Sequence, residues 1–186
     1  MPGCKVLIIG GSAGSLDVLI KLLPRLTFVP SFSIVIVLHR KNTDDTTLEE
    51  LIAIKSAIPV KEIEDKVALL PGFIYVAPSD YHLLFENSGE LSLDASEKIN
   101  YSRPSIDVSF ESAADAYGPN LVALLLSGAN ADGTMGLIAI QEAGGIIAVQ
   151  SPDTAEMSFM PRNAIENMVP HHILDIEEMM QFILHL

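Results

Sequence analysis

A chain of 186 residues, 49% of them hydrophobic and 19% charged, has the material for one domain with a full core and too little length for two of ordinary size. Its formal charge of -13 excludes a surface of clustered Lys and Arg that grips nucleic acid, and an anionic membrane surface repels it. Cys4 is the only cysteine and allows no intrachain disulfide, the apolar runs 33–38 and 121–126 fall far short of the roughly 20 residues of a membrane helix, and the N-terminal residues lack a signal peptide's pattern, so a soluble cytoplasmic protein without membrane insertion is expected.

Residues 5–10 (KVLIIG) form an apolar run ending in glycine, the pattern of a strand buried on both faces of a parallel sheet. Leu16, Leu19, Ile20 and Leu23 then recur at i, i+3, i+4 and i+7, one face of a helix that Pro24 helps to end. The alternation repeats with a strand at 33–38, a helix at 46–57 and strands at 60–63 and 73–77. Residues 82–85 and 90–93 flank Asn87-Ser88-Gly89, a turn signal for an antiparallel hairpin. A helix capped by Ser105 runs to Tyr117 and closes at Gly118-Pro119 before a strand at 121–126; a helix at 133–143 ends at Gly144-Gly145 and feeds a strand at 146–149. A loop containing Pro152, Met160 and Pro161, a short helix, a strand at 173–176 and a helix at 177–185 complete the chain. The expected fold is α/β: a single doubly wound domain over 1–186, with a mainly parallel sheet, an antiparallel hairpin and helices on both faces.

Gly10-Gly11-Ser12-Ala13-Gly14 fits G-x-S-x-G between a predicted strand and a predicted helix, where that motif holds a nucleophilic serine in a sharp turn. A glycine-rich βα turn also cradles phosphate, so this motif alone leaves both readings open, although the spacing does not match G-x-G-x-x-G. A serine nucleophile needs a base, and of the five histidines His39 stands out, because it directly follows a strand whose C-terminal end opens on the edge that carries Ser12. His82 is the reserve candidate, and His171, His172 and His185 read as loop or surface residues. Asp132, after the strand at 121–126, is placed either to orient the base or simply to cap a helix. Three suitable groups following three strands at one sheet edge favour the catalytic reading.

With these sites in the order Ser, His, Asp, the chain resembles the catalytic domain of the chemotaxis receptor methylesterase family, CheB. The resemblance runs from the IGGSAG turn through Ala77-Pro78-Ser79-Asp80-Tyr81-His82, Arg103-Pro104-Ser105-Ile106-Asp107, Leu126-Ser127-Gly128, Ala131-Asp132-Gly133 and Gln141-Glu142-Ala143-Gly144-Gly145 to Met160-Pro161-Arg162-Asn163-Ala164. It implies hydrolysis of glutamate methyl esters on methylated chemotaxis receptors, with deamidation of particular receptor glutamines in some members. Ser12 would be the nucleophile, His39 its base and Asp132 the residue that orients His39. Backbone N–H groups near Ala13 and Ala129 are the candidate oxyanion donors, and no metal or cofactor is implied.

The chain departs from the family in three places. Ala13, Gly14 and Ser15 stand where threonine and two glycines are common, Ala129 where methionine is frequent, and Arg40-Lys41-Asn42-Thr43 where a Met-Pro run usually follows the histidine. The usual member also carries an N-terminal phosphoacceptor receiver domain, whereas the strand bearing the nucleophile here starts at Lys5, which is expected of an excised fragment or of a stand-alone enzyme. The competing expectation is a weakly active or non-catalytic binding module that docks on a receptor or signalling partner. A general small-ester hydrolase of the α/β-hydrolase kind is disfavoured by chain order, since that fold places the acid before the histidine.

Overall fold

The apolar runs and the segments between them fold, in a computed structural model that describes residues 5–39, 47–61 and 63–186, into two sheets and six α-helices among the described residues. In chain order these are β1 (Val6–Gly11), α1 (Ser15–Leu22), β2 (Ser33–Leu38), α2 (Thr47–Lys55), β3 (Val60–Lys61), β4 (Val67–Ala68), β5 (Ile74–Val76), β6 (His82–Phe85), β7 (Glu90–Asp94), α3 (Ile106–Tyr117), β8 (Leu121–Leu125), α4 (Thr134–Glu142), β9 (Ile146–Gln150), α5 (Phe159–Asn167), β10 (His172–Leu174) and α6 (Ile176–Leu184). Short 3-10 turns at Leu23–Arg25 and Gly118–Asn120 follow α1 and α3.

Seven strands form one sheet in the order β10-β9-β8-β1-β2-β5-β3, with every neighbouring pair parallel. Because strand side chains alternate, each central strand feeds two cores. Val6 and Ile8 of β1 join Phe110, Leu137 and Met160 from α3, α4 and α5, whereas Leu7 and Ile9 join Leu19, Ile52 and Ile183 from α1, α2 and α6. The chain leaves β1 toward β2 on one side and returns to β8 on the other, so the strand order reverses at β1. At such a switch point the C-terminal ends of the strands open a crevice suited to a site.

The second sheet is antiparallel, in the order β4-β7-β6. The expected hairpin is thus present, with Gly89 at φ 84 in its turn, and the two-residue β4 extends it without any periodicity that a sequence would display. Three expectations need correction. The buried stripe of α1 is Ser15, Val18, Leu19 and Leu22, rather than one through Leu16 and Ile20, because the Ser15 hydroxyl bonds to the Ser127 carbonyl under the turn and fixes the helix rotation. Met160 and Pro161 belong to the first turn of α5 and not to a loop; a proline costs little there, since N–H groups of a first turn have no intrahelical acceptor. The last helix begins one residue earlier than expected, at a capping box in which Asp175 accepts from Glu178 N and Glu178 accepts from Asp175 N, each at 2.9 Å. Cys4, Thr46 and residues 40–43 lie outside the described residues.

Candidate active site

Ser12 leaves β1 on the turn before α1. Its backbone N–H donates to Ser127 O at 2.9 Å and to Ser15 Oγ at 3.0 Å, and Ser15 Oγ donates to Ser127 O at 2.7 Å. Ser127 Oγ in turn donates to Ala13 O at 2.7 Å, and Ser127 N to Gln150 Oε1 at 2.9 Å. The turn is therefore tied to the end of β8 and to β9 by buried polar bonds. Gly14, at φ 82, adopts the left-handed conformation the turn requires, and a Cβ there would lie 2.7 Å from both Ser127 Oγ and Glu156 Cβ. A side chain at position 14 would thus meet both steric contact and backbone strain.

His39 lies beside it. β1 and β2 pair Gly11 with Leu38, and His39 N donates to Gly11 O at 3.0 Å, so Ser12 and His39 leave the sheet on neighbouring strands roughly 4.8 Å apart. His39 Nε2 lies 2.7 Å from Asp132 Oδ2, with the carboxylate fully buried and the imidazole nearly so. Asp132 also accepts from Ile106 N at 2.7 Å, Asp107 N at 3.0 Å and Ser105 Oγ at 3.0 Å. It thus sits as an anion on the N-terminus of α3, a helix from a different part of the chain. Burial pushes this carboxyl up, but the hydrogen bonds from His39, Ile106 N and Asp107 N more than offset that and hold it at about 2, below its ordinary 3.8.

An ionised Asp132 accepts a proton-bearing Nε2, which leaves the lone pair of a neutral His39 on Nδ1. That is the reverse of the commonest Ser-His-Asp arrangement, in which Nδ1 faces the acid. Asn130 Nδ2 lies 3.4 Å from Nδ1, and Asn130 Oδ1 accepts from Asp132 N at 3.2 Å. Ser12 Oγ meets no hydrogen-bond partner among the described residues, and the same holds for the backbone N–H groups of Ala13 and Ala129.

The structure thus brings Ser12, His39 and Asp132 to one sheet edge, and it separates the other histidines from them. His82 is buried and committed: its Nδ1 accepts from Ser105 N at 3.1 Å, so its Nε2 carries the proton that goes to Glu97 O at 3.0 Å. It supports Ser105 and is not aimed at Ser12. His171 Nδ1 accepts from Ile147 N, and His172 opens β10 with its ring 4.9 Å from that of Phe182, three strands from β1. His185 contacts Gln181 O at the end of α6. Ser105, Ser15 and Ser127 stand in the sequence as a helix cap, a departure and part of a motif, and the structure adds that each builds the site; Asn130 and Gln150 were passed over, with only the nearness of Asn130 to Asp132 as a hint. Among the described residues no group of three or more His, Cys, Asp and Glu is arranged to hold a metal ion.

Comparison with known proteins adds a family to this geometry. Residues 7–183 match the family described as CheB methylesterase. A putative protein-glutamate methylesterase/protein-glutamine glutaminase of Leptospira interrogans is 39% identical over 182 residues, covering 98% of this chain and 94% of its own length. Protein-glutamate methylesterase/protein-glutamine glutaminase 2 of Pseudomonas aeruginosa is 34% identical over 176 residues, but there the chain spans 93% of itself and only 50% of the relative. The crystal structure of the Thermotoga maritima CheB methylesterase catalytic domain superposes with a TM-score of 0.92 at 30% identity, over 100% of this chain and 99% of that one.

Proposed function

The chain belongs to the CheB methylesterase family, and from that premise we propose that it hydrolyses glutamate γ-methyl esters on methylated chemotaxis receptors, with Ser12 as nucleophile, His39 as base and Asp132 as the group that orients it. The observation that carries this reading is the 2.7 Å contact of His39 Nε2 with a buried, ionised Asp132, next to a serine on the βα turn. The names of the relatives, methylesterase and glutaminase together, support the same chemistry on an ester and on an amide.

The proposed reaction has two halves. Ser12 Oγ attacks the γ-carbonyl carbon as its proton passes to His39 Nδ1, and the imidazolium is held by Asp132 through Nε2. The tetrahedral oxyanion is met by the backbone N–H groups of Ala13, on the turn that opens α1, and of Ala129, in the loop between β8 and α4. As the carbonyl re-forms, the C–O bond to the methoxy group breaks, and that oxygen takes the proton from His39 and leaves as methanol. Water then attacks the acyl-enzyme, giving its proton to His39, and the second tetrahedral intermediate releases the glutamate carboxyl and restores the Ser12 hydroxyl. For a glutamine side chain the same steps release ammonia. Ala13 contributes a backbone donor but no hydroxyl, so the oxyanion depends on main-chain groups alone at that position.

Methanol release from methylated receptor fragments tests this reading. Ser12→Ala is expected to lower turnover by about 10⁴-fold or more while leaving the circular dichroism spectrum unchanged. A Ser12→Ala variant with wild-type turnover contradicts the assignment, and a wild-type protein that binds the fragments but releases no methanol supports the binding-module reading instead.

A further inference from the structure

The Arg103-Pro104-Ser105-Ile106-Asp107 motif holds one buried group for which the reaction above has no use. Asp107 is 6% exposed, and its Oδ1 accepts from Gly133 N and from Gly136 N, both at 2.8 Å. These are donors at the N-terminus of α4, whose own N-cap, Gly133, has no side chain to fill them. The residue before Gly133 is Asp132, and its carboxylate accepts from Ile106 N and Asp107 N, the first two donors of α3. Each helix therefore caps the other, and the carboxyl that caps α3 is the one that contacts His39. The helices also touch closely: a Cβ on Gly136 would lie 3.1 Å from Asp107 O. Gly133, at φ 96, leaves room for this approach, since a Cβ there would lie 2.8 Å from Leu125 Cδ1 and 2.9 Å from Ile106 Cγ2.

We propose that Asp107 is a positioning residue for the Ser12–His39–Asp132 site: by clasping the N-terminus of α4 onto α3 it fixes the Asp132 carboxylate against His39 Nε2. The role rests on the esterase reading of Ser12. Asp132 rides on the loop that opens α4 while its donors come from α3, so its distance to His39 is set by the register of two helices that are separate in sequence. Asp107 is the side chain that crosses in the opposite direction and closes the exchange. Displacement of a catalytic constellation by about 1 Å can cost roughly 10²-fold in rate.

Its charge state suits that role. Burial pushes the Asp107 carboxyl up, the N–H groups of Gly136 and Gly133 pull it down, and the negative Asp132 raises it again, leaving it at about 7. Near neutrality Asp107 is therefore only about half ionised and adds less negative charge next to Asp132 than an ordinary carboxylate would. The polar groups around it are Asp132 from the loop before α4, Asn100 from the loop before α3, with Nδ2 3.4 Å from Asp107 Oδ2, and His39 beyond Asp132.

Three measurements on full-length variants test the role. In methanol release, Asp107→Ala is expected to lose about 10²-fold in kcat with KM unchanged, and Asp107→Asn, whose amide oxygen still accepts from both glycines, to recover most of that loss. In proton NMR, the downfield His39 Nε2–H signal, assigned with His39→Gln, is expected to broaden or vanish in Asp107→Ala at temperatures where the variant is folded. A purely structural cap lowers Tm but leaves both kcat and that signal unchanged, and this result overturns the proposal. Should Asp107→Ala not fold, Asp107→Glu keeps the carboxyl group but pushes the helix ends apart by one methylene; the same kcat loss is expected, and wild-type kcat overturns the role. Absence of methanol release from wild-type protein would sink the esterase reading, while the NMR signal still reports on the clasp.

Discussion

Four hydrogen bonds converge on the carboxylate of Asp132, and they decide the state of the residue next to it. With the acid ionised at about 2 and accepting from Nε2, the lone pair of His39 belongs to Nδ1, where Asn130 Nδ2 approaches to 3.4 Å. At Ser15 the chain departs from the family's usual glycine, and the buried hydroxyl is a second bond holding Ser12 N in the turn. Ser15→Ala leaves the Ser12 N to Ser127 O bond in place and is expected to lose about 1 kcal/mol of stability, the net worth of a buried hydrogen bond. Urea unfolding reads this as a lower midpoint at constant slope; an unchanged midpoint contradicts the clasp. Ser12, His39 and Asp132 were legible in the sequence because each follows a strand with a recognisable apolar run. Asp107 and Asn130 were not, since their partners lie across the fold from α3 to α4 or from β8 to β2, and no local pattern marks such a pair.

The elements carry the geometry. β1 and β2 end in register, so Ser12 and His39 emerge side by side, and the strand order reverses at β1, which places the end of β8 and the loop to α4 on the other side of Ser12. Five of the seven parallel strands were readable as apolar runs, whereas β3 is Val60–Lys61 in place of an expected 60–63 and β10 has shifted ends, because their outer positions on the sheet leave both only partly buried. The rotation of α1 was misread for a definite reason: a buried serine takes a place in the inward stripe that hydrophobicity assigns to Leu16. β4 was passed over because two residues carry no period, and the first turn of α5 contains Met160 and Pro161 against the reading of proline as a loop residue. The mutual capping of α3 and α4 is a property of the pair and belongs to neither sequence segment by itself.

For the whole molecule, the two carboxyls make stability depend on pH in opposite windows. Asp107 holds its proton more tightly folded, at about 7 against an ordinary 3.8, so its contribution is fully present below 3.8 and is lost as pH rises toward about 7. Asp132, held at about 2, contributes above 3.8 and loses that contribution as pH falls toward about 2. Asp107→Asn cannot ionise, so relative to wild type it is expected to gain stability between pH 5 and pH 8 as the wild-type carboxyl sheds its proton; urea midpoints of the two proteins that differ by the same amount at both pH values contradict the shift. Among the described residues no helix is long and apolar enough to cross a membrane, and the chain spans about half the length of several of its relatives. The central claim is that Ser12 carries the acyl group during ester hydrolysis. Rapid-quench mass spectrometry of wild-type protein mixed with a γ-methyl-glutamate receptor peptide tests it most directly. The expected result is a transient peptide adduct on the fragment containing Ser12, formed together with one methanol and absent from Ser12→Ala; ester hydrolysis that proceeds without an adduct and survives in Ser12→Ala would contradict it.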